Sequence, residues 1–118
     1  MHAAQDDAQL LERQAGFLED IERAIRATNQ AIIHRRLPDL DEATVMRLAA
    51  AVAELRGRYL EAALAMIAHE DGVPPDQADI NKIAKSRMMF EEAVAGFEAL
   101  RRAIERGYVM LADKVAAE

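Results

Sequence analysis

The chain has 118 residues, 52% of them apolar, a formal net charge of −6 and no cysteine. That length suits one domain, and the apolar share is enough to build a core. Without thiols there are no disulfides, thiolate metal sites, iron–sulfur clusters or thiol catalysis, and an acidic chain repels a nucleic-acid backbone unless its bases gather on one patch.

Turn-forming residues are scarce: one Ser, two Asn, five Gly and three Pro. Long helices joined by few, short connections follow from that composition. The opening stretch MHAAQDDAQLLERQ has neither the basic start nor the apolar core of a signal peptide. No run approaches the roughly 20 apolar residues of a membrane span. The expectation is a cytoplasmic protein with no membrane partner.

The first predicted helix runs over about 5–36. Leu11, Leu18, Ile25 and Ile32 recur every seven residues, with Leu10, Phe17, Ala24 and Ala31 beside them and Ile21 between. Thr28 and Asn29 interrupt the stripe, as polar seam residues do when they set register or oligomer state. Pro38 ends this helix near Arg36, because proline disfavours helical backbone in the residue before it. Asp39 with Glu42, or Asp41, then caps a second helix over about 41–71. Its rows are Val45, Val52, Tyr59, Met66 and Leu48, Leu55, Ala62. Gly72, Pro74 and Pro75 break the chain again. Asp76 or Asp79 caps a third helix over about 76–116, whose row is Ile83, Phe90, Phe97, Ile104 and Leu111, flanked by Ala93 and Leu100.

A seven-residue period sustained this far implies helices packed near-parallel, at about 20°. The fold expected is all-α: three long amphipathic helices in an up-down-up antiparallel bundle forming one domain over 1–118. Helix 3, the longest at roughly 60 Å, projects past its neighbours with Tyr108, Val109, Leu111 and Val115. It carries a second apolar flank at Met88, Met89 and Val94. These residues are the expected interface of a homodimer that completes the bundle. The alternative is a helix 3 that breaks near Gly107 and folds back. Gly16, Gly57, Gly96 and Gly107 lie inside predicted helices, where close helix–helix approach is the simplest reason for them.

Chemical motifs are missing. Neither His34 nor His69 has a Glu three residues before it, as di-iron bundles require. The zinc-hydrolase His-Glu-x-x-His and the glycine-rich phosphate loops are absent. His34 and His69 lack the Lys-Gly that follows the reactive residue of histidine phosphotransfer domains. The best metal candidates are His69, Glu70, Asp71, Asp76 and Asp79 around the second break, oxygen-rich but without ordered ligand spacing. Dipole complementation explains Asp76 and Asp79 more simply. His34, Arg35, Arg36, Arg47, Arg101, Arg102 and Arg106 are expected at the opposite end, where Arg35 and Arg36 complement the end of helix 1. Stacking aromatics are lacking there, so no nucleic-acid partner is expected.

Ile32-Ile33-His34-Arg35-Arg36 resembles the end of the first helix of the helical chorismate mutases. That family's pocket needs a lysine, and here Lys stands only at 82, 85 and 114. LLERQ, FLEDIERAI and VMRLAAAVAELRGRYLEA resemble the small acidic helical chaperones of flagellar export over about the first 65 residues. That resemblance implies a groove that takes up a partner helix. The residues themselves favour a non-enzymatic, cofactor-free adaptor or regulator acting as a homodimer or on another helical protein. A small-ligand or divalent-metal-binding bundle is the remaining alternative.

Overall fold

The computed structural model describes residues 2–67 and 73–112. It is all-helical, with α1 at His2–Arg36, α2 at Glu42–Ala65 and α3 at Gln77–Glu105. Among the described residues no strand forms, and one isolated bridge joins Asp41 to Ala112. The chain divides into two compact units. One comprises the chain up to Asp39 with Ala103–Met110; the other comprises Leu40–Arg102 with the chain from Leu111 onward.

The helix ends follow capping chemistry. The Asp41 carboxylate accepts from the Thr44 amide at 2.8 Å and from its hydroxyl at 2.7 Å. Asp41, not Asp39, is therefore the N-cap of α2. At α3 the cap is reciprocal: the Asp79 amide donates to Asp76 at 2.9 Å, and the Asp76 amide donates to Asp79 at 3.2 Å. Two otherwise unpaired donors are satisfied by two carboxylates three residues apart, as in a capping box.

Two expected boundaries are corrected. α2 ends at Ala65, short of residue 71. The amides of Met66 and Ile67 bond three residues back, to Ala63 and Leu64, which tightens the last turn out of α-helical geometry. α3 ends at Glu105, well before residue 116, and α1 with 35 residues is the longest helix. The cause is Gly107, whose φ of 73° is left-handed. Its amide bonds to the Ile104 carbonyl at 3.1 Å, and the Tyr108 amide bonds to Ala103 at 2.8 Å. This pair of bonds is a Schellman motif with Gly107 just past the cap, and it turns the chain out of the helix. Tyr108, Val109 and Leu111 thus belong to a non-helical segment and not to a projecting helix, while Val115 lies outside the described residues.

Within the first unit this segment returns to α1. Gln30 donates to the Gly107 carbonyl at 2.6 Å. Val109 is buried, and Asn29, Gln30, Ile33 and Tyr108 are half-buried. Within the second unit the heptad rows of α2 and α3 are the covered ones. Val52 and Ala62 are buried; Val45, Leu48, Leu55, Tyr59, Ile83, Phe90 and Phe97 are half-buried. Tyr59 and Phe90 stack tilted, 5.9 Å between centroids, and the Arg56 guanidinium lies 5.2 Å over the Phe90 ring. The start of this unit is tied by the Ala112 amide, which donates to Leu40 at 3.1 Å.

Gly16, Gly57 and Gly96 do not mark close helix contacts: a Cβ built on each meets nothing within 4 Å. In a helix such glycines only cost backbone entropy. Replacing all three by Ala is expected to stabilise the protein by up to about 1 kcal/mol per site. Gly107→Ala is expected to destabilise it by about 1 kcal/mol, through the left-handed backbone alone, since its Cβ would meet Arg26 at an ordinary 3.5 Å. Urea unfolding of the four variants checks both signs; a stabilising Gly107→Ala would contradict the turn.

Candidate interaction surface

The seam rows of α1 are bare. Leu11 is 65% exposed, Phe17 64% and Leu18 60%; Leu10, Ile25 and Ile32 are exposed as well. Of the large apolar residues on this stripe, only Ile21 is half-buried. The returning segment 103–110 adjoins the stripe at Ile25, with which its Tyr108 lines one cleft, and leaves Leu10, Leu11, Phe17 and Leu18 open. It lies on the flank marked by Arg26, Asn29, Gln30 and Ile33, roughly a third of a turn round the helix at about 100° per residue. A continuous apolar strip along a helix normally faces a core or a partner, since packing supplies most helical stability.

The charge of α1 is divided along its length. Residues 2–20 hold five carboxylates (Asp6, Asp7, Glu12, Glu19, Asp20) against Arg13. Residues 21–36 hold four arginines (Arg23, Arg26, Arg35, Arg36) against Glu22. The macrodipole accounts for charges in the first and last turns only. Glu12, Glu19, Asp20, Arg23 and Arg26 lie further in, and the first turn carries no acid at all.

Met88 is 60% exposed and Met89 43%, on α3, while Val94 is half-buried. Tyr108, Val109 and Leu111 are at least half-covered within the chain. The exposed face of α1 was not singled out from the sequence, because its periodicity equals that of a core helix.

The described residues form open concave surfaces. A cleft of about 320 Å³ in the first unit is lined by Glu22, Ile25, Arg26, Glu105, Arg106 and Tyr108. Its four charged residues balance, unlike the mostly apolar lining with a few converging polar groups of a ligand site. A groove of about 240 Å³ in the second unit lies at Tyr59, Ile80, Ile83, Ala84 and Arg87. Among the described residues no three His, Asp or Glu side chains are grouped to hold a metal. Of the metal candidates, Asp76 and Asp79 cap each other, and His69, Glu70 and Asp71 lie outside the described residues.

Arg23, Arg47 and Arg101 make local contacts. Arg101 grips one Glu98 oxygen through Nε at 3.0 Å and Nη2 at 2.7 Å. Arg47 reaches the Thr44 hydroxyl at 3.3 Å, and Arg23 pairs with Asp20. The Arg101 hydrogen bond holds the Glu98 carboxyl below its ordinary range. The Asp41 carboxyl is held low first by the Thr44 hydroxyl, then by the Thr44 amide, with Arg47 adding. No described helix is long and apolar enough to cross a membrane. No family model, curated protein or solved structure matches the chain.

A depressed carboxyl pKa stabilises the fold above its unfolded value, and that contribution is lost as pH falls through the folded value. For Asp41 and Glu98 the loss is expected below about pH 4. Thr44→Val removes the largest cause at Asp41 and is expected to shrink the stability difference between pH 7 and pH 3. Urea unfolding at both pH values checks this; an unchanged difference would contradict the role of Thr44.

Proposed function

We propose that this chain is a non-catalytic interaction module that works as a homo-oligomer through exposed helical faces. One observation carries the reading: the apolar rows of α1, from Leu10 to Ile32, are exposed to water along the helix. Such a strip lowers its free energy by about 25 cal/mol for every Å² of apolar surface it buries. Exposed Met88 and Met89 on α3 offer a second, adaptable contact, since methionine fits irregular partners. A bundle completed by a second copy belongs to the same reading.

The chemistry favours a protein partner. The surface available is apolar and the net charge is negative, a poor match to a nucleic-acid backbone. A cysteine-free chain suits a reducing, cytoplasmic setting. Neither a cofactor nor a catalytic residue is assigned. In the export-chaperone reading a different protein's helix takes the α1 face, and the isolated chain is a monomer or a weak, concentration-dependent dimer.

Light scattering across a hundredfold range of concentration separates the two. The expected result is a dimer or larger assembly, dissociating at most at the lowest concentrations. A mass of 13.1 kDa at every concentration would contradict self-association and favour the chaperone reading.

A further inference from the structure

The charge division and the side-chain sizes of α1 together specify what covers it. We infer that α1 pairs antiparallel with α1 of a second copy, about a two-fold axis near Leu18–Ile21. This rests on the homo-oligomer reading and names its seam.

The electrostatic reason is direct. In an antiparallel pair the acidic stretch 2–20 of each copy lies along the basic stretch 21–36 of the other. Asp6 and Asp7 then come within about a turn of Arg35 and Arg36 of the second copy. A parallel pair sets acid beside acid and base beside base along the full length. Charges within about 10 Å at 0.1 M salt are not screened away, so the whole helix favours one orientation.

Packing agrees. The row beside the seam is large in its first half, Leu10 and Phe17, and small in its second half, Ala24 and Ala31. Heptad geometry in the antiparallel sense sets Leu10 opposite Ala31 and Phe17 opposite Ala24. In this flanking row large meets small in both pairs, the alternation that fills a core without voids or clashes, while Leu18 meets Ile21 at the axis. A parallel pair gathers Leu10 and Phe17 of both copies at one end and the alanines at the other, so bulk is not matched to small along the seam.

The pairing also closes. An isologous two-fold contact uses the same strip on both copies and leaves no strip over to propagate a filament. The first unit leaves most of that strip open: segment 103–110 is bonded to the Gln30 flank and adjoins the row at Ile25, across the cleft that Ile25 shares with Glu105, Arg106 and Tyr108, while Leu11 and Leu18 stay well exposed.

The absence of native cysteine makes single thiols unambiguous reporters. In the antiparallel register Leu11 faces Thr28 of the second copy; in a parallel pair each faces itself. Full-length Leu11→Cys and Thr28→Cys proteins are mixed, exchanged and joined with a short thiol cross-linker. The expected product is the mixed dimer, exceeding either like-with-like dimer at least tenfold. Like-with-like products predominating would overturn the orientation. Light scattering of Phe17→Glu is the second measurement, with dimer affinity expected to fall at least tenfold. A dimer of unchanged affinity would overturn α1 as the seam while leaving self-association standing. Monomeric wild-type protein would overturn the homo-oligomer reading itself.

Discussion

An amphipathic helix in water is held by what its apolar face packs against, and in this protein the longest helix carries a face that the described residues of its own unit leave largely open. The 35 residues of α1 form more than nine turns, yet every side chain from Ala3 to Asp20 is exposed. Backbone hydrogen bonds and good helix formers favour such a segment only weakly, because propensity terms are tenths of a kcal/mol per residue. Burial of Leu10, Leu11, Phe17, Leu18, Ile25 and Ile32 is the term large enough to hold it. The seam proposed for α1 follows from this imbalance.

The rest of the structure is organised by where helices stop. Asp41 and Asp76 start α2 and α3 by satisfying amides that a helix leaves unpaired, and Gly107 ends α3 by taking a conformation costly to any residue with a Cβ. The Gly107 turn has the wider consequence. It brings Tyr108 and Val109 onto the flank of α1 through Gln30, and delivers the Ala112 amide to Leu40 at the start of α2. A single left-handed residue therefore converts what reads as a helix end into packing against α1, and it leaves the Leu11–Leu18 part of the seam open.

Periodicity in the sequence was a sound guide to helix faces and a poor one to their partners. Val45, Val52 and Tyr59 on α2, with Met66 just past its end, and Ile83, Phe90 and Phe97 on α3, share the covered side that their seven-residue spacing implies. The same spacing in Leu11, Leu18, Ile25 and Ile32 marks a stripe that stays exposed. Spacing defines a face; it carries no information on whether that face meets its own chain or another. The end of α3 was ambiguous for a related reason. The apolar period continues to Leu111 across Gly107, and only the backbone angle at Gly107 shows that helix and period part company. Asp39 and Asp41 were equivalent candidates by residue type, and the hydroxyl of Thr44, three residues beyond Asp41, decided between them. The glycines at 16, 57 and 96 invited a packing explanation that the open space around them removes.

The proposed dependence of α1 on a second copy is tested most directly by thermal unfolding followed by far-ultraviolet circular dichroism at protein concentrations spanning two orders of magnitude. A helix stabilised by a second copy melts at a temperature that rises with concentration, by mass action, and much of the helical signal is lost in that transition. A melting temperature independent of concentration, with the full helical signal present in the most dilute sample, would contradict it.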